Sequence, residues 1–145
     1  MVGLSYYDRW YHDATQCHKA LGMLALFIGS GKVLWTLRDR SVQFSAHLKR
    51  WERLAARSTH VVFLLMIVLI PSTGYLISTS AGDSIMIFEW FEVPALFAIS
   101  TDTRDWAISI HYWLAYGVAL LVLLHAAAIK HQFADRDGAL RRMLW

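Results

Sequence analysis

The residues of this chain best suited to chemistry are its seven histidines, because imidazole binds metals and exchanges protons near neutral pH. They are His12, His18, His47, His60, His111, His125 and His131. His12 and His47 fall in polar segments, which favours solvated loop histidines. The other five lie within or at the ends of long apolar stretches. Ionisable groups inside membrane spans are rare, so these five are candidate functional residues.

The sharpest pattern is the separation of His111 and His125 by 14 residues in one apolar stretch. On a helix both side chains point within about 40° of one direction, and roughly 21 Å separates them along the axis. One helix face therefore presents an imidazole near each side of a membrane. His18 begins another apolar stretch at the depth of His111.

A stripe of small residues follows His18 on one face of its helix and ends at a cation. Its members are Gly22, Ala25, Gly29 and Lys32. Small residues let a flat, bulky group approach the backbone, although they also serve helix packing in membranes. The position of the stripe between a histidine and a cation favours a macrocycle with anionic side groups.

The chemistry that fits this pattern is haem ligation by two imidazoles. Two axial histidines leave no open position on the iron, which suits electron transfer rather than oxygen binding. Histidines that only hold helices together by hydrogen bonds are the alternative. There is no CxxCH motif for a c-type haem, and a zinc site would need further ligands close by. We interpret Cys17, the single cysteine, as a packing residue.

Two further histidines have open roles. His60 falls near the inner end of the second apolar stretch, where it can ligate iron, bond a propionate, line a quinone pocket or simply sit at the interface. Pro71 and Gly74 continue its face and predict a kink or an early loosening of the helix. His131 follows Lys130, and we interpret the two as an interfacial cation cluster.

The elements that position these residues are apolar. Of 145 residues, 57% are apolar and 17% charged, against roughly 45–50% and 25% in soluble domains. This excludes a disordered chain, a disulfide scaffold and a typical soluble enzyme. Since about 20 apolar residues span a bilayer, we predict a single all-α membrane domain with three transmembrane helices. These helices cover about residues 18–37, 58–78 and 106–131.

Charge predicts the orientation, because Lys and Arg favour the cytoplasmic side of short loops. The loop at 38–57 carries six of them, whereas the loop at 79–105 carries one cation against five acidic residues. The first loop and the C-terminus are therefore expected inside, in a multi-pass membrane protein. Three helices then place Met1 outside, which predicts a further helix upstream. The apolar segment 84–99 is expected along the outer interface, over the helix ends.

Several motifs resemble the bacterial cytochrome b561 family over nearly the whole chain. The most specific are HKALG, PSTGYLIST, and the helix with its two spaced histidines that ends in IKHQF and RRML. The resemblance implies a four-helix bundle with two non-covalent b haems, one near each face. It implies His18 and His111 as ligands of the outer haem, and His125 with a first-helix histidine as ligands of the inner haem.

Two departures from the family pattern bear on these expectations. The family's first helix ends in a segment like residues 1–12, so that helix and its histidine are expected to be missing and the inner site incomplete. Lys32 stands where the family commonly has arginine, and lysine neutralises a propionate only as a point charge.

The resemblance implies electron transfer between a periplasmic donor and the membrane quinone pool. The expected partners are the lipid bilayer, quinone and that donor, for which superoxide is conceivable; no nucleic acid is expected. A second copy of the chain or a redox partner subunit is also open. The alternatives are a b-type anchor subunit of a larger redox complex and a truncated, haem-poor remnant.

Overall fold

Three long helices make up most of the molecule. The computed structural model describes residues 7–8, 10–39 and 50–134, with side chains up to Lys130. The helices are α1 (Tyr11–Arg38), α2 (Arg50–Ser78) and α3 (Thr101–Ala134). Each is long and apolar enough to cross a membrane. The predicted all-α membrane fold with three spanning helices is confirmed.

The helices extend beyond the predicted spans. α1 begins at Tyr11 instead of 18, α2 at Arg50 instead of 58, and α3 at Thr101 instead of 106. The segment before residue 58 is rich in Arg, Glu, Leu and Ala, which are strong helix formers whether or not lipid surrounds them. Part of the predicted inner loop is therefore helical. Hydropathy marks the membrane-embedded part of a helix and not its ends.

α2 occupies the centre and packs against both α1 and α3. On α3 one narrow stripe faces the other helices, and it includes both His111 and His125. The remaining surface of α3 exposes large apolar side chains, such as Trp113 and Leu123, each 68% exposed. Helices that are apolar all round belong in an apolar solvent. The exposed faces are therefore suited to lipid contact.

α1 and α2 approach each other closely at Gly29. A Cβ atom there would lie 3.0 Å from two side-chain carbons of Ile67 and 3.2 Å from its carbonyl oxygen. Pro71, four residues further along, has no N–H to donate to that carbonyl. α2 nevertheless stays helical through Pro71.

The connection between α2 and α3 contains a small antiparallel hairpin, β1 (Ile85–Ile87) and β2 (Phe91–Val93). Its turn holds two non-glycine residues, Phe88 and Glu89, at positive φ. Asn and Gly usually occupy such positions, so the sequence carried no hairpin signal.

The hairpin segment lies over the helix ends, as expected for 84–99. Ile85 is buried, and β1 packs on α1. The Tyr75 hydroxyl at the end of α2 donates to the carbonyl of Pro94 and accepts the N–H of Leu96, both at 2.9 Å. Ser84 donates a hydrogen bond to Glu92 across the base of the hairpin.

Candidate haem-binding site

The structure brings together the two histidines predicted to share an iron at the outer end. The imidazole rings of His18 on α1 and His111 on α3 have centres 6.1 Å apart and planes at 84°. An imidazole nitrogen lies about 2.0–2.1 Å from a metal it binds, so two rings that share one ion have centres roughly 6 Å apart. Edge-to-face ring contacts span the same range. The surroundings of the pair therefore decide what it can do.

A cavity of about 670 Å³ opens beside this pair, within the range of about 300–1,000 Å³ typical of cofactor sites. All three helices line it. They contribute His18 and Gly22 from α1, Pro71 and Gly74 from α2, and His111 and Ala115 from α3. The lining combines apolar surface with two imidazoles, which suits a flat apolar group that carries a metal.

The predicted stripe on α1 divides into two parts. Gly22 lines the cavity, and nothing lies within 4 Å of the position of a Cβ atom there. Gly29 instead serves the packing of α1 on α2, where Ile67 fills the space beside it. Only the first part of the stripe is open to a macrocycle in the described structure.

A lysine other than the predicted one lines the cavity beside the outer pair. Lys32 is exposed and lies outside the cavity, roughly 21 Å from His18 along the helix axis. Lys19 is half-buried and lines the cavity. Sequence reasoning missed Lys19, although it is part of the HKALG motif and directly follows His18. The haem-binding role of Lys32 stays a prediction.

Hydrogen bonds select the tautomer of the neutral His111 ring. Its Nδ1 lies 3.0 Å from the carbonyl oxygen of Ile70 and 3.0 Å from the hydroxyl oxygen of Thr73. A carbonyl can only accept, so Nδ1 carries the proton and donates to both oxygens. The other nitrogen, Nε2, then keeps its lone pair for a metal. Metal-binding histidines usually hold their second nitrogen in this way.

Gly74 makes room for the His111 ring on α2. A Cβ atom at Gly74 would lie 3.2 Å from Cε1 and 3.6 Å from Nδ1 of that ring. Ile70, Thr73 and Gly74 thus form a seat for His111. Sequence reasoning used the PSTGYLIST motif as a family marker and missed these contacts, although the motif itself was the signal.

A second histidine pair lies on α2 and α3. The rings of His60 and His125 have centres 6.0 Å apart with planes at 67°, and Phe63 stacks edge-on against His125 at 5.4 Å. Both histidines are half-buried. Several roles were left open for His60. Its position beside His125 supports a role at the same site as His125 over simple placement at the interface.

The remaining histidines and the cysteine lie elsewhere. His12 is exposed near the start of α1, with its ring 5.9 Å from that of Tyr11. His47 and the side chain of His131 lie outside the described residues. Cys17 is an exposed thiol, so its interpretation as a packing residue was wrong. Within the described ranges, no three His, Cys, Asp or Glu side chains gather as a metal site, as zinc would require.

Three membrane-spanning helices, two histidine pairs and a cofactor-sized cavity define a helical membrane protein with room for a large cofactor. A family profile described as prokaryotic cytochrome b561 matches residues 1–145. The chain is also 41% identical to cytochrome b561 homolog 2 of Escherichia coli K12, over 99% of this chain and 77% of that relative. It therefore belongs to the prokaryotic cytochrome b561 family and is a multi-pass membrane protein of haem b electron transfer.

Proposed function

We propose that this chain binds a haem b between His18 and His111 and uses it to pass electrons from a periplasmic donor to membrane quinone. The observation that supports the proposal best is the state of His111. Its Nδ1–H is held by the Ile70 carbonyl at 3.0 Å, and the ring of His18 lies opposite at 6.1 Å. A histidine that served only to join helices would not also need a cavity of about 670 Å³ beside it.

Four residues of the cavity have separate tasks in this proposal. His18 and His111 would each hold the iron through one imidazole nitrogen, which suits electron transfer rather than oxygen binding. Gly22 would let the macrocycle approach α1, because the space beside this glycine is open. Lys19 at the cavity wall neutralises an anionic side group as a point charge. The haem supplies one-electron chemistry, and the protein supplies position, access and potential.

A second haem b at the inner end, on His125, extends the proposal. His60 is the described ring that lies opposite His125, at 6.0 Å. The family resemblance assigns the second inner ligand to a first-helix histidine instead. Replacing His60 by alanine separates the two roles. Loss of a haem identifies a ligand, whereas a shifted potential with full haem content identifies a neighbour of the haem.

The orientation of the chain completes the proposal. Arg50, Arg53 and Arg57 cluster at the start of α2, while acidic residues dominate the connection to α3. Since cationic loops favour the cytoplasm, the hairpin and the outer cavity face the periplasm of a bacterial inner membrane, and the C-terminus faces the cytoplasm. The donor then meets the outer site first.

The test is a haem count on the purified chain in detergent, by pyridine haemochrome and reduced-minus-oxidised spectra. His18→Ala and His111→Ala are each expected to lose the outer haem. His12→Ala is the control, because His12 is exposed and lies outside the cavity. Full haem content in the His111→Ala variant would contradict the ligand assignment. Oxidation of the reduced haem by added quinone, followed optically after excess dithionite has been removed, tests the acceptor.

A further inference from the structure

We propose that Thr73 is a positioning residue that sets the reduction potential of the haem bound at His111. The inference rests on the proposed function, since it needs His111 as an iron ligand. It assigns to the first threonine of the PSTGYLIST motif a task that goes beyond ordinary helix packing. The threonine acts through the imidazole and does not itself contact the iron.

The hydrogen bonds of Thr73 have only one consistent direction. Its hydroxyl oxygen lies 2.7 Å from the carbonyl oxygen of Ile70 and 3.2 Å from that of Leu69. Both carbonyls only accept, so the single hydroxyl proton goes to the helix backbone. The lone pairs of the same oxygen remain, and His111 Nδ1 lies 3.0 Å away. Thr73 therefore accepts from the Nδ1–H group.

The Nδ1–H group of His111 thus has two acceptors, the Thr73 hydroxyl and the Ile70 carbonyl. An acceptor on the second nitrogen makes a metal-bound imidazole more basic. A more basic imidazole would donate more electron density to a haem iron that it holds and would stabilise the ferric state. Thr73 is therefore expected to lower the reduction potential of the outer haem, and its removal to raise it.

Ser72, the residue before Thr73 in α2, provides a matched control. Its hydroxyl makes the same kind of backbone bond, to the carbonyl of Val68 at 2.8 Å. Within the described residues, the Ser72 hydroxyl bonds only this backbone carbonyl, whereas the Thr73 hydroxyl also reaches His111. An effect on helix geometry alone is therefore expected to be similar for both residues, whereas an effect through the imidazole is specific to Thr73.

The experiment is a redox titration of the full chain in detergent, with the outer haem identified as the component that His111→Ala removes. Thr73→Val keeps the shape but removes the acceptor. It is expected to keep the haem and change the ferric–ferrous equilibrium constant threefold to tenfold in favour of the ferrous state. A tenfold change corresponds to about 59 mV for one electron. Thr73→Ser and Ser72→Ala are expected to match the wild type.

Each result of the titration either supports or overturns the role of Thr73. An unchanged potential in Thr73→Val, or an equal shift in Ser72→Ala, overturns the proposal. Should Thr73→Val lose the outer haem, retention by Thr73→Ser supports positioning by the hydroxyl, and loss in both variants overturns it. The failure of the proposed function has a different signature, which is a wild type without haem or a His111→Ala variant with full haem content.

Discussion

Gly74 and His111 lie so close that a methyl group on the glycine would stand 3.2 Å from Cε1 of the imidazole. The contact joins α2 to α3 at the level of the outer cavity. It keeps the ring within reach of the Ile70 carbonyl and the Thr73 hydroxyl, both on the same turn of α2. The position of the His111 ring is thus set by a neighbouring helix.

Gly74→Ala is therefore expected to displace His111 and weaken the outer haem site. Overpacking of this kind costs about 1–3 kcal/mol, which corresponds to roughly tenfold weaker binding per 1.4 kcal/mol. The measurement is haem retention during detergent purification. Gly117→Ala is the control, because nothing lies within 4 Å of a Cβ atom there. Equal haem retention in the two variants would show that the His111 seat tolerates a side chain.

Gly22→Leu tests the wall of the cavity that α1 provides. A leucine at this position has space in the folded chain, since nothing lies within 4 Å of its Cβ position. It fills part of the cavity that we assign to the macrocycle. We expect an unchanged melting temperature of the haem-free protein and a strongly reduced outer haem content. Gly31→Leu, at an equally open glycine outside the cavity, is expected to keep its haem.

Much of the fold followed from the sequence, because long uncharged stretches have few alternatives to membrane helices. The juxtaposition of His18 and His111 also followed, since both were predicted to lie at the same depth near the starts of their helices. The hairpin did not follow, because the turn at Phe88–Glu89 lacks the residues that usually mark one.

The sequence also did not show that the stripe of small residues on α1 divides into a part that lines the cavity and a part that packs on α2. Periodicity places Gly22, Gly29 and Lys32 on one face of α1, but it does not report how near the next helix comes. Ile67 of α2 closes the space at Gly29, whereas the space at Gly22 is open. Contacts between helices, unlike faces of a helix, depend on how the helices cross, and a single sequence does not specify this.

The two lysines of α1 are expected to behave differently. Lys19→Gln removes the cation at the cavity wall and leaves an anionic haem side group uncompensated, which stabilises the ferric state. The outer potential is expected to fall, by up to the roughly 59 mV of a tenfold change in equilibrium. Lys32→Gln is expected to leave the outer potential unchanged, because Lys32 is exposed outside the cavity. Redox titration measures both, and a larger shift for Lys32→Gln would reverse the assignment.

Gly29→Ala is expected to destabilise the contact between α1 and α2. The new methyl group would meet Ile67 side-chain carbons at 3.0 Å and the carbonyl oxygen of Ile67 at 3.2 Å. A backbone oxygen cannot rotate away, so we expect a loss of about 1–3 kcal/mol, seen as a lower melting temperature in detergent. Adding Ile67→Ala relieves only the side-chain contacts and is expected to recover part of the loss. Gly31→Ala, at an open position on the same helix, is the control; a similar loss there would indicate a general effect of alanine on α1.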